Sequence, residues 1–498
     1  MTAVSTNQQI NIGTINNKPT IELPRNGRLI SEFAFELGLL LKDELYNHAG
    51  IVCKIDEEEK QLKPIEANYL RTWVENHVIP YIQTKNNQGS FQIKTTMSID
   101  TARAVLESSQ FIRMLRTVEK VNPYQLPYMD EDGKIVFPQK GYDKKNKILT
   151  ISELKLEDMD FTSSKKYIAD LLCDFPFPED NGVSKSIAIS AIITAVAEGL
   201  LPKGSLKPVF LYSANSEGSG KTILADLAAS ILAIEQEAIP NDNTEMHKRL
   251  NTLVTSGKRG IFFDNVKGHL NYSALEEYTT AINTTGRILG MHKTFTGPAG
   301  ATVLITGNGL TITPDMRRRT LCCNLFCREL RPEDRTFSKI LTASTIRQNI
   351  GQTVSAVFGL IKEWEKNGRP KSTLSNSHCP EWCDIIAGIV ENAGYTSPLR
   401  KTIDNAVDSD LEDIQKLWRN MEINKDYKFL DLVDICEENG LFEALINQKN
   451  IAGDLEASAK SRLGLVLKRY VGKYATADSM FQIVGTQRKC YRLSKFLL

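Results

Sequence analysis

Apolar residues recur at helical spacing over residues 30–41 and again over 66–78, so both stretches predict amphipathic helices. Asp132-Gly133 lies between two short apolar runs and predicts a hairpin, and Lys144-Lys145-Asn146-Lys147 reads as a solvated turn. From residue 152 to 203 the pattern is helical. Residues 184–200 are almost all small and apolar, as in a helix buried on every side. Between 205 and 330 short apolar runs alternate with amphipathic stretches, the rhythm of an α/β domain. Residues 336–400 return to helical periodicity. The expected order is therefore a polar, Asn-rich disordered tail (1–24), an N-terminal α/β region (25–150), a helical collar (151–204), an α/β core (205–335), a helical lid (336–403) and a C-terminal domain (404–498).

Composition adds little to this picture and excludes some classes. The 498 residues are 41% hydrophobic and 24% charged, with a net charge of +1, an ordinary globular balance. No apolar run reaches membrane-spanning length and no signal peptide is present, so a cytoplasmic protein without a membrane partner is expected. The charge is unevenly placed. Residues 404–443 hold 12 acids and 4 bases, whereas residues 458–498 hold nine Lys/Arg and one acid, Asp478. The nine cysteines form no disulfide framework. Cys323/Cys327 and Cys379/Cys383, with His378, offer a loose zinc spacing, but Leu321-Cys322-Cys323-Asn324-Leu325-Phe326-Cys327 reads better as a buried strand.

The strongest chemical signal is a strand, residues 209–212, followed by Ser213-Ala214-Asn215-Ser216-Glu217-Gly218-Ser219-Gly220-Lys221-Thr222 and an amphipathic helix. A Gly-rich loop between strand and helix lets backbone N–H groups close on phosphates at a helix N-terminus. Gly218, Ser219, Gly220, Lys221 and Thr222 would then hold ATP, with Lys221 on the outer phosphates and Thr222 on Mg2+. Asn215 stands where the pattern has its first Gly, and Asn tolerates left-handed backbone. About 40 residues on, an apolar strand ends in Asp264-Asn265. Asp264 is the expected magnesium acid. The usual following Glu is absent, and Asn265 can orient a water but cannot take its proton. A third apolar strand ends in Thr306-Gly307-Asn308, where Asn308 would position the attacking water. Arg317-Arg318-Arg319 follows beyond a loop containing Pro314. An Arg beside a transferring phosphoryl group stabilises its charge. Such a loop should carry Arg318 and Arg319 away from the subunit's own phosphates.

These four elements, in this order, resemble the AAA+ core of replication helicases carried by phages and integrative elements, relatives of the superfamily-three helicases of small DNA viruses and frequent companions of primase domains. Gly141-Tyr142-Asp143, Asp174-Phe175-Pro176-Phe177, Arg287-Ile288-Leu289-Gly290 and Glu381-Trp382 with Gly394 add to the likeness, which runs from about residue 110 to 400. The resemblance implies a ring hexamer, a DNA helicase or replication ATPase of a mobile genetic element, with ATP between subunits and an arginine supplied in trans. It also implies a channel hairpin gripping single-stranded DNA; His292 and Lys293 occupy that place, an exposed basic loop being the other reading. Primase or other replication proteins are the implied partners.

The tail reads as a helix, two short strands and a basic turn, Arg488-Lys489, the outline of a winged helix on duplex DNA; a winged helix used only for protein contacts is the alternative. Three rivals stand beside the helicase: an ATP-switched origin-binding initiator that does not unwind, a small-molecule P-loop phosphotransferase, and a primase in the first 150 residues. Asn308 followed by the Arg triplet argues against the phosphotransferase, and no carboxylate cluster with suitable spacing supports the primase.

Overall fold

The computed structural model describes residues 18–25, 27–86, 89–287, 294–308, 310–327, 335, 337–400, 409–449, 455–471, 474–476, 479–485 and 490–495. Contacts divide the chain into two compact units, the second comprising residues 404–498 with the short segments 268–270 and 309–312.

In the first unit, a strand lies inside the stretch expected as disordered tail. Thr20–Glu22 is a strand running parallel to Ile79–Asn86, and Ile21 is fully buried. One apolar side chain in a polar segment is enough to fix the register, and periodicity over so short a run cannot reveal it. The helices expected over 30–41 and 66–78 are Ile30–Leu41 and Ala67–His77. Phe33, Leu37 and Leu41, spaced one turn apart, share a core with Leu70, Val74 and Phe111. The Asp132-Gly133 turn joins the antiparallel strands Tyr128–Met129 and Ile135–Val136, with Gly133 at φ 75°.

The stretch 151–204, expected as a helical collar, is only partly helical. Residues 153–160 are irregular, and the helices are Phe161–Leu171 and Val183–Ala197. Of the 15 residues in the second helix, 14 are buried, which its uniformly small and apolar sequence requires. Ser190 and Thr194 satisfy their hydroxyls on backbone carbonyls one turn back, and Thr194 also accepts the Trp382 indole N–H at 2.9 Å. This helix packs on the helix Lys221–Leu232 and on the strand Thr320–Leu325, at the centre of the largest core.

That core surrounds a five-stranded, all-parallel sheet in the order Gln236–Glu237, Gly260–Val266, Thr302–Gly307, Val209–Ala214, Thr320–Leu325. The strand that precedes the phosphate loop thus lies between the last two strands of the sheet in chain order. In parallel sheets the carboxyl ends of the strands form the ligand crevice, so this order gathers three strand ends around one loop. Helices Ala343–Gln348 and Ile350–Lys366 follow, the latter packed along Phe161–Leu171.

The second unit has its own core. Helices Ser409–Arg419, Phe429–Glu438, Glu443–Ile446 and Ala457–Tyr470 precede a three-stranded antiparallel sheet, Tyr474–Thr476, Ser479–Val484 and Cys490–Lys495. Leu417, Leu432, Leu463, Leu467, Phe481 and Leu493 meet inside it. The basic segment 458–498 therefore supplies much of this unit's core, and cutting the chain at 458 would unfold the unit as well as remove charge. Arg488 and Lys489 lie outside the described residues, as do His292 and Lys293. The ribbon carrying the latter pair is present as the antiparallel strands Asn283–Arg287 and Thr294–Pro298.

Candidate functional site

The glycine-rich loop leaves the strand Val209–Ala214 and enters the helix at Lys221. Gly218 and Gly220 take the left-handed conformation, at φ 71° and 94°, which a side chain would strain. Phe175 lies against Gly220: a Cβ there would come within 3.4 Å of the ring. Asp174 next to it accepts the backbone N–H of Lys339 and the hydroxyl of Ser338, fixing the segment that supports the loop.

Asn215 works differently from what its sequence position suggests. It is not among the residues with positive φ. Its side-chain amide makes a reciprocal pair with Cys327, donating to the Cys327 carbonyl at 2.8 Å and accepting its N–H at 2.9 Å. The residue is a clasp between the loop and the end of the neighbouring strand, a role no local pattern can disclose.

Lys221 is half-buried, and its Nζ lies 3.5 Å from the Ser216 carbonyl and 3.4 Å from the Ser219 hydroxyl. Burial pushes its ammonium below the usual lysine value, while Asp264 and Glu217 pull it back. One residue on, the Thr222 hydroxyl donates to Asp264 Oδ1 at 2.9 Å. The Thr306 hydroxyl donates to the same oxygen at 2.5 Å and accepts the Asn265 N–H at 2.8 Å. Thr306 is thus the link between two strand ends. The sequence presented it only as the first member of Thr306-Gly307-Asn308; a hydroxyl facing the acid of an adjacent parallel strand is the signal that marks it.

The register of Gly260–Val266 on Thr302–Gly307 slips between Phe263 and Val266, and Asn265 sits at φ 52° with its side chain exposed. This bulge aims Asp264 at the loop and turns Asn265 outward. Asn308 Oδ1 is buried without a hydrogen-bond partner among the described residues. Leaving such an acceptor unpaired costs about 1–3 kcal/mol, so it is poised for a donor from a ligand or water. Asp226, one turn beyond Thr222, had no place in the sequence reading. Burial raises its carboxyl to about 6, with Arg347 opposing and Asp264 and Glu235 reinforcing the shift.

The arginines differ sharply. Thr313 caps the short helix Pro314–Arg317 and bonds the Glu276 carboxylate. Arg319 donates from Nη1 to the Glu276 carbonyl at 3.1 Å, so its guanidinium is engaged within its own chain. Arg318 has its carbonyl held by Asn376 at 3.1 Å, but its side chain is 67% exposed and pairs with the exposed Asp315, at 2.6 Å. A surface pair of this kind contributes about 0–1 kcal/mol and is readily exchanged. Asp242 is occupied as the cap of Asn243–Ser256, accepting the Glu245 N–H at 2.9 Å.

The arrangement offers a hydroxyl and a carboxylate, both hard oxygen donors suited to magnesium, which usually completes its shell from water and substrate phosphates. No group of three or more potential His, Cys, Asp or Glu ligands occurs among the described residues. Nor is any described helix long and apolar enough to cross a membrane.

No protein-family model matches the chain, and no curated protein matches it in sequence. Several solved structures are similar at low identity. The NrS-1 C-terminal region in its apo A form has 11% identity and a TM-score of 0.38, over 93% of this chain and 99% of that one. The SCCmec type IV Cch structure, described as an active helicase, has 12% identity and a TM-score of 0.28, over 91% and 97%. JCV helicase has 13% identity and a TM-score of 0.23, over 52% and 71%. TM-scores this low do not establish a shared fold.

Proposed function

We propose that this chain is an ATP-dependent DNA helicase or replication protein of a mobile genetic element, an AAA+ ATPase working as a ring hexamer that translocates on DNA. The observation that carries the reading is the convergence of Lys221, Thr222, Asp264 and Thr306 on one phosphate loop, with the Asn308 amide oxygen unpartnered nearby in the chain. In this reading Lys221 and the loop N–H groups bind the phosphates, and Thr222 and Asp264 hold Mg2+. Asn308 orients the water. The exposure of Arg318 supports it as the arginine supplied to a neighbouring subunit's ATP, ahead of Arg319. Single-stranded DNA would pass the ribbon 283–298, and the C-terminal winged-helix-like unit would bind duplex DNA.

The absence of an acid after Asp264 favours one further reading, an ATP-switched initiator that binds an origin and turns over slowly. A forked duplex separates the two. The helicase reading expects Mg2+ and ATP to drive strand displacement, and single-stranded DNA to raise ATP turnover. An intact fork alongside nucleotide-dependent DNA binding would favour the initiator instead.

A further inference from the structure

At the opposite edge of the sheet, a cavity of about 420 Å3 opens at the amino ends of the strands. The strand Val209–Ala214 has six residues, so about 17–20 Å separates this cavity from the phosphate loop. Its walls bring Lys120, Glu198, Lys207 and Arg259 together, each from a different stretch of chain. Lys207 Nζ reaches Glu198 Oε2 at 2.6 Å; Arg259 Nε and Lys120 Nζ reach Oε1 at 3.2 and 3.7 Å. The Lys207 and Arg259 side chains are each 4% exposed.

Three cations around one carboxylate leave an excess of buried positive charge. Burial disfavours the Glu198 carboxylate, yet Arg259, Lys207 and Lys120 together hold it well below its usual range. Burial pushes Lys120 down to about 8, with Glu198 opposing and Arg259 and Lys207 adding to the fall. The other acid in the wall, Glu119, is committed to Lys147 at 2.8 Å and Lys203 at 2.7 Å, while Lys258 faces Glu59 at 3.8 Å. Both terminal nitrogens of Arg259, Nη1 and Nη2, are buried without an acceptor among the described residues. Buried charge of this kind is normally paired, and two idle guanidinium donors form the fork that phosphate oxygens fit.

We infer that this cavity is a second anion site, independent of the ATP loop, that takes the dianionic phosphate group of a small phosphomonoester. Two charges match the excess of cations. Arg259 supplies the fork, and Lys120 and Lys207 supply charge. Ile148, Leu206, Leu253, Tyr278 and Ile282 line the cavity and would face the organic remainder. The volume falls within the range of small-molecule sites. The burial of Lys207 and Arg259 keeps a duplex backbone from reaching them.

The test is thermal unfolding of the full chain with 5 mM ribose 5-phosphate or orthophosphate, against chloride at equal ionic strength. Ribose 5-phosphate should raise the midpoint by about 2 °C or more. The shift should persist in Lys221→Ala, which alters only the ATP loop, and vanish in Arg259→Met. Gly300→Phe blocks the cavity without touching its charges, since Gly300 lines it and nothing lies within 4 Å of a Cβ there. That variant should unfold at the wild-type temperature and show no shift. A larger effect from ribose 5-phosphate than from orthophosphate supports an organic ligand, and equal effects support the phosphate alone. The inference is overturned if neither ligand shifts the midpoint, if the shift survives Gly300→Phe, or if Lys221→Ala removes it.

Discussion

Lys221→Ala should abolish ATP hydrolysis, by about 10^2–10^3-fold or more, in a protein that remains folded. The two halves of this expectation rest on different observations. The ammonium sits inside the glycine-rich loop with two long contacts among the described residues, at 3.4 and 3.5 Å, so its loss removes about 1 kcal/mol of stability or less. Its positive charge, by contrast, is the one that the proposed reading directs toward the phosphates of ATP, and it is already partly desolvated. Charge in such a place acts on developing negative charge with little screening. Circular dichroism and a thermal melt establish folding, and phosphate release measures turnover. Near-normal turnover in the folded variant would remove the phosphate-loop assignment.

Asp264→Asn should retain ATP binding and lose turnover by about 100-fold or more, because the metal shell loses its carboxylate. The side-chain oxygen of Asn can still accept the Thr222 and Thr306 hydroxyls, so the contact between strand ends survives. Fluorescent-nucleotide binding alongside phosphate release separates the two effects. Asn265→Glu is the companion: it should not raise turnover, because residue 265 points outward from the bulge at φ 52°. A β-carbon in that conformation adds strain of about 1–2 kcal/mol for most residues. Unchanged turnover in Asp264→Asn would place the magnesium acid elsewhere. Asp226 would then be the next residue to test, since Asp242 is committed to capping a helix.

What could be read from the sequence divides along a physical line. Elements with long, consistent periodicity were legible: the helix Ile30–Leu41 follows its i, i+4 apolar residues, and the burial of Val183–Ala197 follows from apolar residues on every face. The turn between the strand Val209–Ala214 and the helix at Lys221 was legible because Gly218 and Gly220 supply its left-handed backbone. Contacts made across the sheet were not. The Asn215–Cys327 clasp spans 112 positions, and Thr306–Asp264 spans 42. Likewise, the chain placed three arginines in a row with no sign of their different surroundings. Only the tertiary packing of Glu276 beside residue 319 distinguishes the engaged Arg319 from the exposed Arg318. Glu198 and the three cations around it come from four separate stretches of chain, so no local pattern announces them.

In the proposed ring, ATP is hydrolysed at sites shared between subunits. Lys221→Ala and Arg318→Ala proteins should each be inactive alone. A head-to-tail ring built from both contains interfaces that pair an intact Lys221 with an intact Arg318. Measuring ATP turnover in the mixture, with native mass confirming mixed rings, tests the claim directly. Partial recovery is the predicted result, lost when both changes are put in one chain and that protein is mixed with either single variant. Mixed rings that hydrolyse no ATP would contradict a trans-acting role for Arg318.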